Sequence, residues 1–250
     1  MATLLTIDAV TKRFGGLQAV SAVSATFAEG SITAVIGPNG AGKTTLFSMI
    51  AGAVAPTSGR ITFKGHEVAG IGADRACRLG IGRTFQVVRP FWSLSVRDHL
   101  RAAMVFGSPG REDGGQVAHL LAICGLADLA DRPARGLTLA DCRRLEIARA
   151  LATGASLILL DETMAGLTSE ETRTAMDLVR RVQREGRTVI LIEHVLPAVT
   201  GLCDRALVLD HGEVIADGSP RDVLASPKVR AAYLGEEELP DRSSGRTVDC

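Results

Sequence analysis

The chain has 250 residues, 46% of them hydrophobic, enough to fill one large α/β domain or a core with a subdomain, which excludes a disordered chain. Lys plus Arg and Asp plus Glu both total 28, so the net charge is zero and no global basic field points to nucleic acid or an anionic membrane surface. The five cysteines (Cys77, Cys124, Cys142, Cys203, Cys250) form no CxxC pair and no framework of a small secreted domain, as expected of reduced thiols in a cytosolic compartment.

In chain order, "LLTIDAV" and "VSATF" alternate like strands around the turn-prone "RFGG". This N-terminal stretch carries Asp8 and lacks the basic start and long apolar run of a signal peptide. "SITAVIGPNGAGKTTLFSMIAG" then gives a strand, a Gly-rich loop and a helix, and "PTSGRITFKG" another turn and strand. From about Val87 to Ala152 the pattern is mixed helical, broken at "GSPGREDGG" and "DRPARG", and reads as a helical subdomain inserted into an α/β core.

The core resumes with the buried strand "SLILLDE", a helix from Ser169 to Arg184 and the strand "TVILIEH". Buried strands alternating with helices imply a mainly parallel sheet, beside an antiparallel N-terminal β part. Short strands "RALVLDHG" and "EVIADG" precede small helices ending at Leu234, so the domain is expected over 1–235 and a frayed polar tail over 236–250. No internal repeat is visible, so a ligand site of any one type is encoded once. No window approaches the ~18 apolar residues of a membrane span, so work at a membrane would need another chain to supply the span.

"GPNGAGKT" fits G-x-x-x-x-G-K-[ST] with Gly37, Gly42, Lys43 and Thr44, between a strand and a helix. Glycines, with Asn39 and Gly40 between them, let backbone N–H groups turn toward phosphates. Lys43 would bind the β and γ phosphates, Thr44 would ligate Mg²⁺, and Thr45 continues the loop into a helix N-terminus that favours an anion. About 120 residues on, "LILLDET" is a strand ending in two carboxylates. Asp161 would hold Mg²⁺, and Glu162 would lie beside the γ phosphate as base or water-orienting group.

At this point the chain, from about residue 4 to 235, resembles the nucleotide-binding subunits of ABC transporters. The resemblance implies that Phe14 stacks on adenine, although it could be a core residue. It places Gln86 of "RTFQ" at the start of the Q-loop, toward the metal and γ phosphate, and "MAGLTSEE" at the D-loop. His194 in "LIEHV" falls at the switch histidine, which contacts the γ phosphate. "KRFGGLQAV", "GIGRTFQ", "RRLEIARAL" and "GEVIADGSPRDVLASPKVRAAYLGEE" look like the ATPase subunits of branched-chain amino-acid uptake systems, a group that also serves importers of urea, amides and small organic acids.

Such membership implies two subunits clamping two ATP molecules, each between one chain's phosphate loop and the other's signature loop. It further implies integral-membrane permease subunits, a periplasmic solute-binding protein acting through them, and a peripheral place at the cytoplasmic membrane face.

The signature loop departs from this family: "LTLAD" stands where Leu-Ser-Gly-Gly-Gln is usual. Thr138 keeps a hydroxyl for the γ phosphate, while Leu139 and Ala140 replace glycines. Asp141 suits the N-cap of the following helix, or else places a carboxylate near the γ phosphate that Arg143, Arg144 and the helix dipole would offset. Thr163 stands where Pro is common, and Thr168 where the D-loop often has Asp; loss of the Pro would loosen the turn.

Trp92, with Phe91, either lines the groove for a membrane subunit or packs in the core. His66, His99, His119 and His211 read as surface or structural groups, and Cys142 as a small semi-buried filler. The expected activity is ATP hydrolysis coupled to import. The rivals are a regulatory nucleotide-binding subunit, favoured by the signature loop, and a soluble ATPase acting on nucleic acid or ribosomes, for which no basic extension or second cassette is present.

Overall fold

The protein is described by a computed structural model over residues 2–84, 90–107 and 114–234. The N-terminal alternation forms β1 (Thr3–Phe14) and β2 (Leu17–Ala28), an antiparallel pair. β3 (Ile32–Ile36) opens a second sheet and runs through the Gly-rich loop into α1 (Lys43–Ile50). The chain then returns to the first sheet as β4 (Ser58–Phe63) and β5 (His66–Glu67), giving the order β2-β1-β4-β5.

Next come α2 (Ala73–Leu79) and the edge strand β6 (Ile81–Arg83), neither expected from the sequence. β6 is three residues long with Gly82 at its centre, too short for a period to show. α3 (Val96–Gly107), α4 (Gly114–Ile123) and α5 (Leu139–Ala152) supply the expected helical region, with two short 3-10 turns at Ala127–Leu129 and Ala134–Gly136. Its expected start at Val87, the residue Gln86 and the tail 236–250 lie outside the described residues.

The core strands β7 (Leu157–Asp161), β8 (Thr188–Ile192) and β9 (Arg205–Asp210) flank β3 in the order β10-β9-β3-β8-β7-β6, with β10 (Glu213–Gly218) the antiparallel edge. α6 (Ser169–Arg184) and α7 (Leu196–Leu202) connect them, and α8 (Pro220–Ala225) and α9 (Pro227–Leu234) end the described chain.

The period of two explains the layering. Ile158, Leu160, Val189, Leu191, Ala206 and Val208 face the helices α3 to α7, while Leu157, Leu159, Ile190, Ile192, Leu207 and Leu209 face α1 and the antiparallel sheet. Both faces are covered, so these strands read as unbroken apolar runs rather than alternation. Burying each such Leu or Ile is worth about 1.5–3 kcal/mol. The consequence for function lies at the strand ends: β3, β6, β7 and β8 are parallel, so their C-terminal ends share one edge of the sheet, where ligands of such sheets bind.

Candidate active site

The loop after β3 closes only with glycine at two positions. Gly37 has φ +149°, and a Cβ there would stand 2.0 Å from the Leu209 carbonyl oxygen on β9. At Gly42, with φ +96°, a Cβ would stand 2.3 Å from the Ala19 carbonyl oxygen on β2. The loop is also tied to the β9–β10 turn, where the Gly212 amide donates to the Ala41 carbonyl at 3.1 Å. Gly42 is the N-cap of α1 and offers no side-chain cap, leaving the first amides of the helix to an anion.

Lys43 follows. It is buried and curled onto its own loop, donating Nζ to the Gly37 and Pro38 carbonyls at 2.7 and 2.8 Å. Burial lowers its pKa, while the charges of Glu162 and Asp161 oppose that shift, so both carboxylates lie within the ammonium's field.

Asp161 ends β7, is 2% exposed and accepts from Arg83 Nη2 at 3.0 Å, while Arg83 Nη1 reaches Ser48 Oγ on α1 at 3.0 Å. The Asp161 amide donates to the Thr84 hydroxyl at 3.2 Å, and the Thr84 amide to the Leu159 carbonyl at 2.9 Å. Thus β6 supports the carboxylate from beside it.

Glu162 takes φ +49°, a left-handed conformation that costs a non-glycine residue about 1–2 kcal/mol. Its amide donates to the Ile192 carbonyl at 3.0 Å, and its Oε1 accepts from His194 Nε2 at 2.9 Å. The sharp turn aims the Glu162 side chain at His194, two residues beyond the end of β8. The expected pair is therefore in contact.

Glu193 was missed from the sequence. It is 1% exposed, and its Oε1 accepts from the Met164 amide at 3.0 Å and from the Thr163 hydroxyl at 3.4 Å. Burial pushes its pKa up to about 7, aided by the Glu162 charge and opposed by the donors Met164, His194 and Thr163. The signal was available: an acid closing an apolar strand in "TVILIEH" repeats the pattern that singled out Asp161. Arg83 was missed too, an arginine in the otherwise small and apolar "GIG-R" run.

Phe14 is 50% exposed with Lys12 Nζ 4.9 Å from its ring centroid, so it is not a core residue. Asn39 and Gly40 are exposed on the loop, Thr44 is exposed in the first turn of α1, and Thr45 is half-buried. Gln86 lies outside the described residues.

At the signature loop the N-cap assignment is corrected. Thr138, not Asp141, caps α5: the Asp141 amide donates to Thr138 Oγ1 at 3.1 Å, and Thr138 N and Oγ1 donate back to Asp141 Oδ2 at 3.2 and 2.8 Å. Asp141 sits at the third helical position, where only a reciprocal acceptor completes a capping box. Arg144 Nη2 pairs with its other oxygen. Burial alone would raise the Asp141 pKa, but the Thr138 and Arg144 hydrogen bonds and the Arg144 charge hold it below the usual carboxylate value.

Thr168 and Glu171 repeat the same box at α6, which accounts for the Thr that replaces Asp there. The two boxes share the wall of one cavity of about 330 Å³. Among the described residues, no hydrogen bond of Thr138 or Asp141 reaches the phosphate loop of its own chain.

Phe91 and Trp92 are exposed, so the core role for Trp92 is overturned. His99 is buried, its Nδ1 donating to the Ser95 carbonyl at 2.8 Å and its Nε2 accepting from the Phe91 amide at 3.0 Å, a structural group as expected. Cys142 is buried.

A family model described as "ABC transporter" matches residues 20–165. The chain belongs to the ABC transporter family. A second model, "Branched-chain amino acid ATP-binding cassette transporter", matches residues 213–238 of this cassette.

The cassette is 37% identical to the high-affinity branched-chain amino acid transport ATP-binding protein LivG of Salmonella typhimurium, over 93% of this chain and 98% of that one. It is equally 37% identical to BraF of Pseudomonas aeruginosa, with the same coverage. Among solved structures it resembles the ADP conformation of MJ1267, an ATP-binding cassette of an ABC transporter, with TM-score 0.85 and 29% identity over 94% of this chain and 100% of that chain. It shares its fold with the dimeric bacterial cassette MJ0796, with TM-score 0.78 and 24% identity over 87% of this chain and 99% of that one.

The residues fit ATP with Mg²⁺. A cradle that two Cβ atoms would fill stands beside a lysine and a buried carboxylate. Among the described residues no cluster of three or more His, Cys, Asp or Glu could cage a metal. Mg²⁺ needs no such cage, being held by one or two carboxylates together with phosphate oxygens.

Proposed function

We propose that this cassette is the ATP-hydrolysing subunit of an importer for branched-chain amino acids or a related small solute. It would work at the cytoplasmic membrane face under permease subunits, which pass on solute from a periplasmic binding protein. The observation that carries the reading is the 2.9 Å contact between Glu162 and His194 at the sheet edge that also bears the phosphate loop. The match at residues 213–238 and the transport function of LivG and BraF support the solute class.

In this mechanism the amides from Asn39 to Thr45 receive the phosphates, and Lys43 exchanges two backbone carbonyls for phosphate oxygens. Thr44, Asp161 and Gln86 would hold Mg²⁺, which neutralises charge on the β and γ phosphates. Glu162 orients a water and accepts its proton, while His194, donating to Glu162, fixes the carboxylate and shares the γ phosphate. Phe14 offers its exposed ring to adenine. Thr138 and Asp141 serve the site of a paired cassette, a second copy or a different chain.

Among the described residues no helix is long and apolar enough to cross a membrane; in this reading permease chains supply the span. A cleft of about 500 Å³ between α2, β6, α3 and α5, walled by Cys77, Phe91, Phe106 and Arg149, is the proposed docking place, with Trp92 exposed beside Phe91.

The test is co-purification with a multi-span permease, followed by ATPase assay of the assembly with and without Glu162→Gln. Copurification with activity lost in the variant is expected. Activity that survives Glu162→Gln would sink the catalytic assignment. A wild-type assembly that binds ATP without hydrolysing it would favour the regulatory reading, which the altered signature loop motivates.

A further inference from the structure

The turn after β7 has to be sharp, and its usual stiffener is missing. Glu162 sits at φ +49° and is followed by Thr163, not proline. A strained residue persists only where its surroundings over-determine it. Here three contacts clasp the ends of β7 and β8. The Glu162 amide reaches the Ile192 carbonyl, the Met164 amide reaches Glu193 Oε1 at 3.0 Å, and His194 Nε2 reaches Glu162 Oε1.

Glu193 is the only one of these contributed by a side chain with no direct chemical task. Its carboxyl lies at 1% exposure, where burying an acid is unfavourable without compensating hydrogen bonds. Its neighbours are the first residues of the D-loop on one side and the switch histidine, its own successor in the chain, on the other. Thr163 contributes a hydroxyl at 3.4 Å to the same oxygen, so the threonine that removes the proline also adds a donor.

We propose that Glu193 is a positioning residue: its carboxyl locks the Thr163–Met164 turn to the end of β8 and thereby holds Glu162 against His194 in the geometry for hydrolysis. The inference rests on reading Glu162 and His194 as the hydrolytic pair. Glu193 touches neither nucleotide nor water in this role. Losing it leaves the phosphate loop intact while Glu162 drifts within its turn, so turnover falls and nucleotide affinity does not.

The experiment uses the cassette assembled with its permease, comparing wild type, Glu193→Ala, Glu193→Gln and Thr163→Val. ATP turnover is read beside binding of a fluorescent ATP analogue. Glu193→Ala should lower kcat by about tenfold or more with KM and analogue affinity within about twofold. Glu193→Gln, which keeps an oxygen to accept from the Met164 amide, should restore most of kcat. Thr163→Val should lower kcat by a few-fold, and it tests the turn even where Glu193→Ala fails to fold.

Unchanged kcat in Glu193→Ala overturns the inference. So do equal losses of kcat and affinity in both Thr163→Val and Glu193→Gln, which would show general destabilisation. Glu162→Gln in the same assembly separates the two levels: full activity there removes the hydrolytic pair itself, whereas an inactive Glu162→Gln beside a fully active Glu193→Ala removes only the role of Glu193.

Discussion

Arg83 ties Asp161 to helix α1: its guanidinium donates to Asp161 Oδ2 at 3.0 Å and to Ser48 Oγ at 3.0 Å. The arginine side chain is 13% exposed and the carboxylate 3%. The same arginine walls the cleft proposed for the permease, so one side chain borders both that proposed docking surface and the carboxylate proposed to hold the metal.

Breaking a buried pair by deleting one partner leaves the other charge without its hydrogen-bonded counterion, here with only the field of Lys43 to offset it. Arg83→Met should therefore destabilise the cassette by about 3 kcal/mol, measured by denaturant unfolding without nucleotide. Mg²⁺ with ATP supplies positive charge near the orphaned carboxylate and binds only the folded chain, so it should return more stability to the variant than to wild type. Equal stabilisation of both would show that Asp161 is not a ligand of the metal.

Much of this site is legible in the sequence. The phosphate loop, Asp161, Glu162 and His194 are each carried by a strand end whose apolar run is plain in the sequence, and parallel pairing then brings those ends to one edge. Strand β6 and its Arg83 were not legible, because three residues with a central glycine show no period. Glu193 closes an apolar strand as Asp161 does, but the strand pattern alone does not show its burial. An acid next to a histidine reads as a solvated strand end until the positive φ of Glu162 folds the D-loop back over it. The box at Thr138 escaped because a one-turn shift in helix start exchanges N-cap and third position, and sequence fixes helix ends only to within a few residues.

The glycines of the loop differ in what they prevent. Gly42→Ala places a Cβ 2.3 Å from the Ala19 carbonyl, a clash with backbone that cannot rotate away. Gly40→Ala meets nothing within 4 Å and only strains φ +80°. The expected outcome is loss of ATP binding by calorimetry in Gly42→Ala, against a stability loss of about 1 kcal/mol with binding retained in Gly40→Ala. Equal binding in the two variants would mean that the loop reshapes around the added methyl.

Glu193 also makes a signed pH prediction. Burial pushes its carboxyl up to about 7 in the folded chain from an ordinary value of 4.5, with Glu162 facing it and His194 beside it. Between those values the folded chain binds more of this proton than the unfolded chain does. The contribution is therefore complete below about pH 4.5 and is lost as pH rises through about 7, amounting to roughly 3 kcal/mol in all. Subtracting the unfolding free energy of Glu193→Gln from that of wild type across pH 5 to 8 should expose this downward slope. A flat difference would place the Glu193 carboxyl in a more hydrated setting.

The signature loop is built rather than decayed, and that fixes the last expectation. Thr138 and Asp141 cap each other across the first turn of α5, and Arg144 neutralises the carboxylate from the next turn. Thr138→Ala removes an N-cap and should cost about 1 kcal/mol of stability. Asp141→Gln keeps the reciprocal acceptor but gives up the ion pair with Arg144, so its stability should fall by a similar amount or less. Turnover of the assembled transporter should then change by less than about tenfold, since the charge being removed is already paired. A rise of a hundredfold, about 3 kcal/mol of barrier, would instead show that the native carboxylate repels the γ phosphate of the paired cassette.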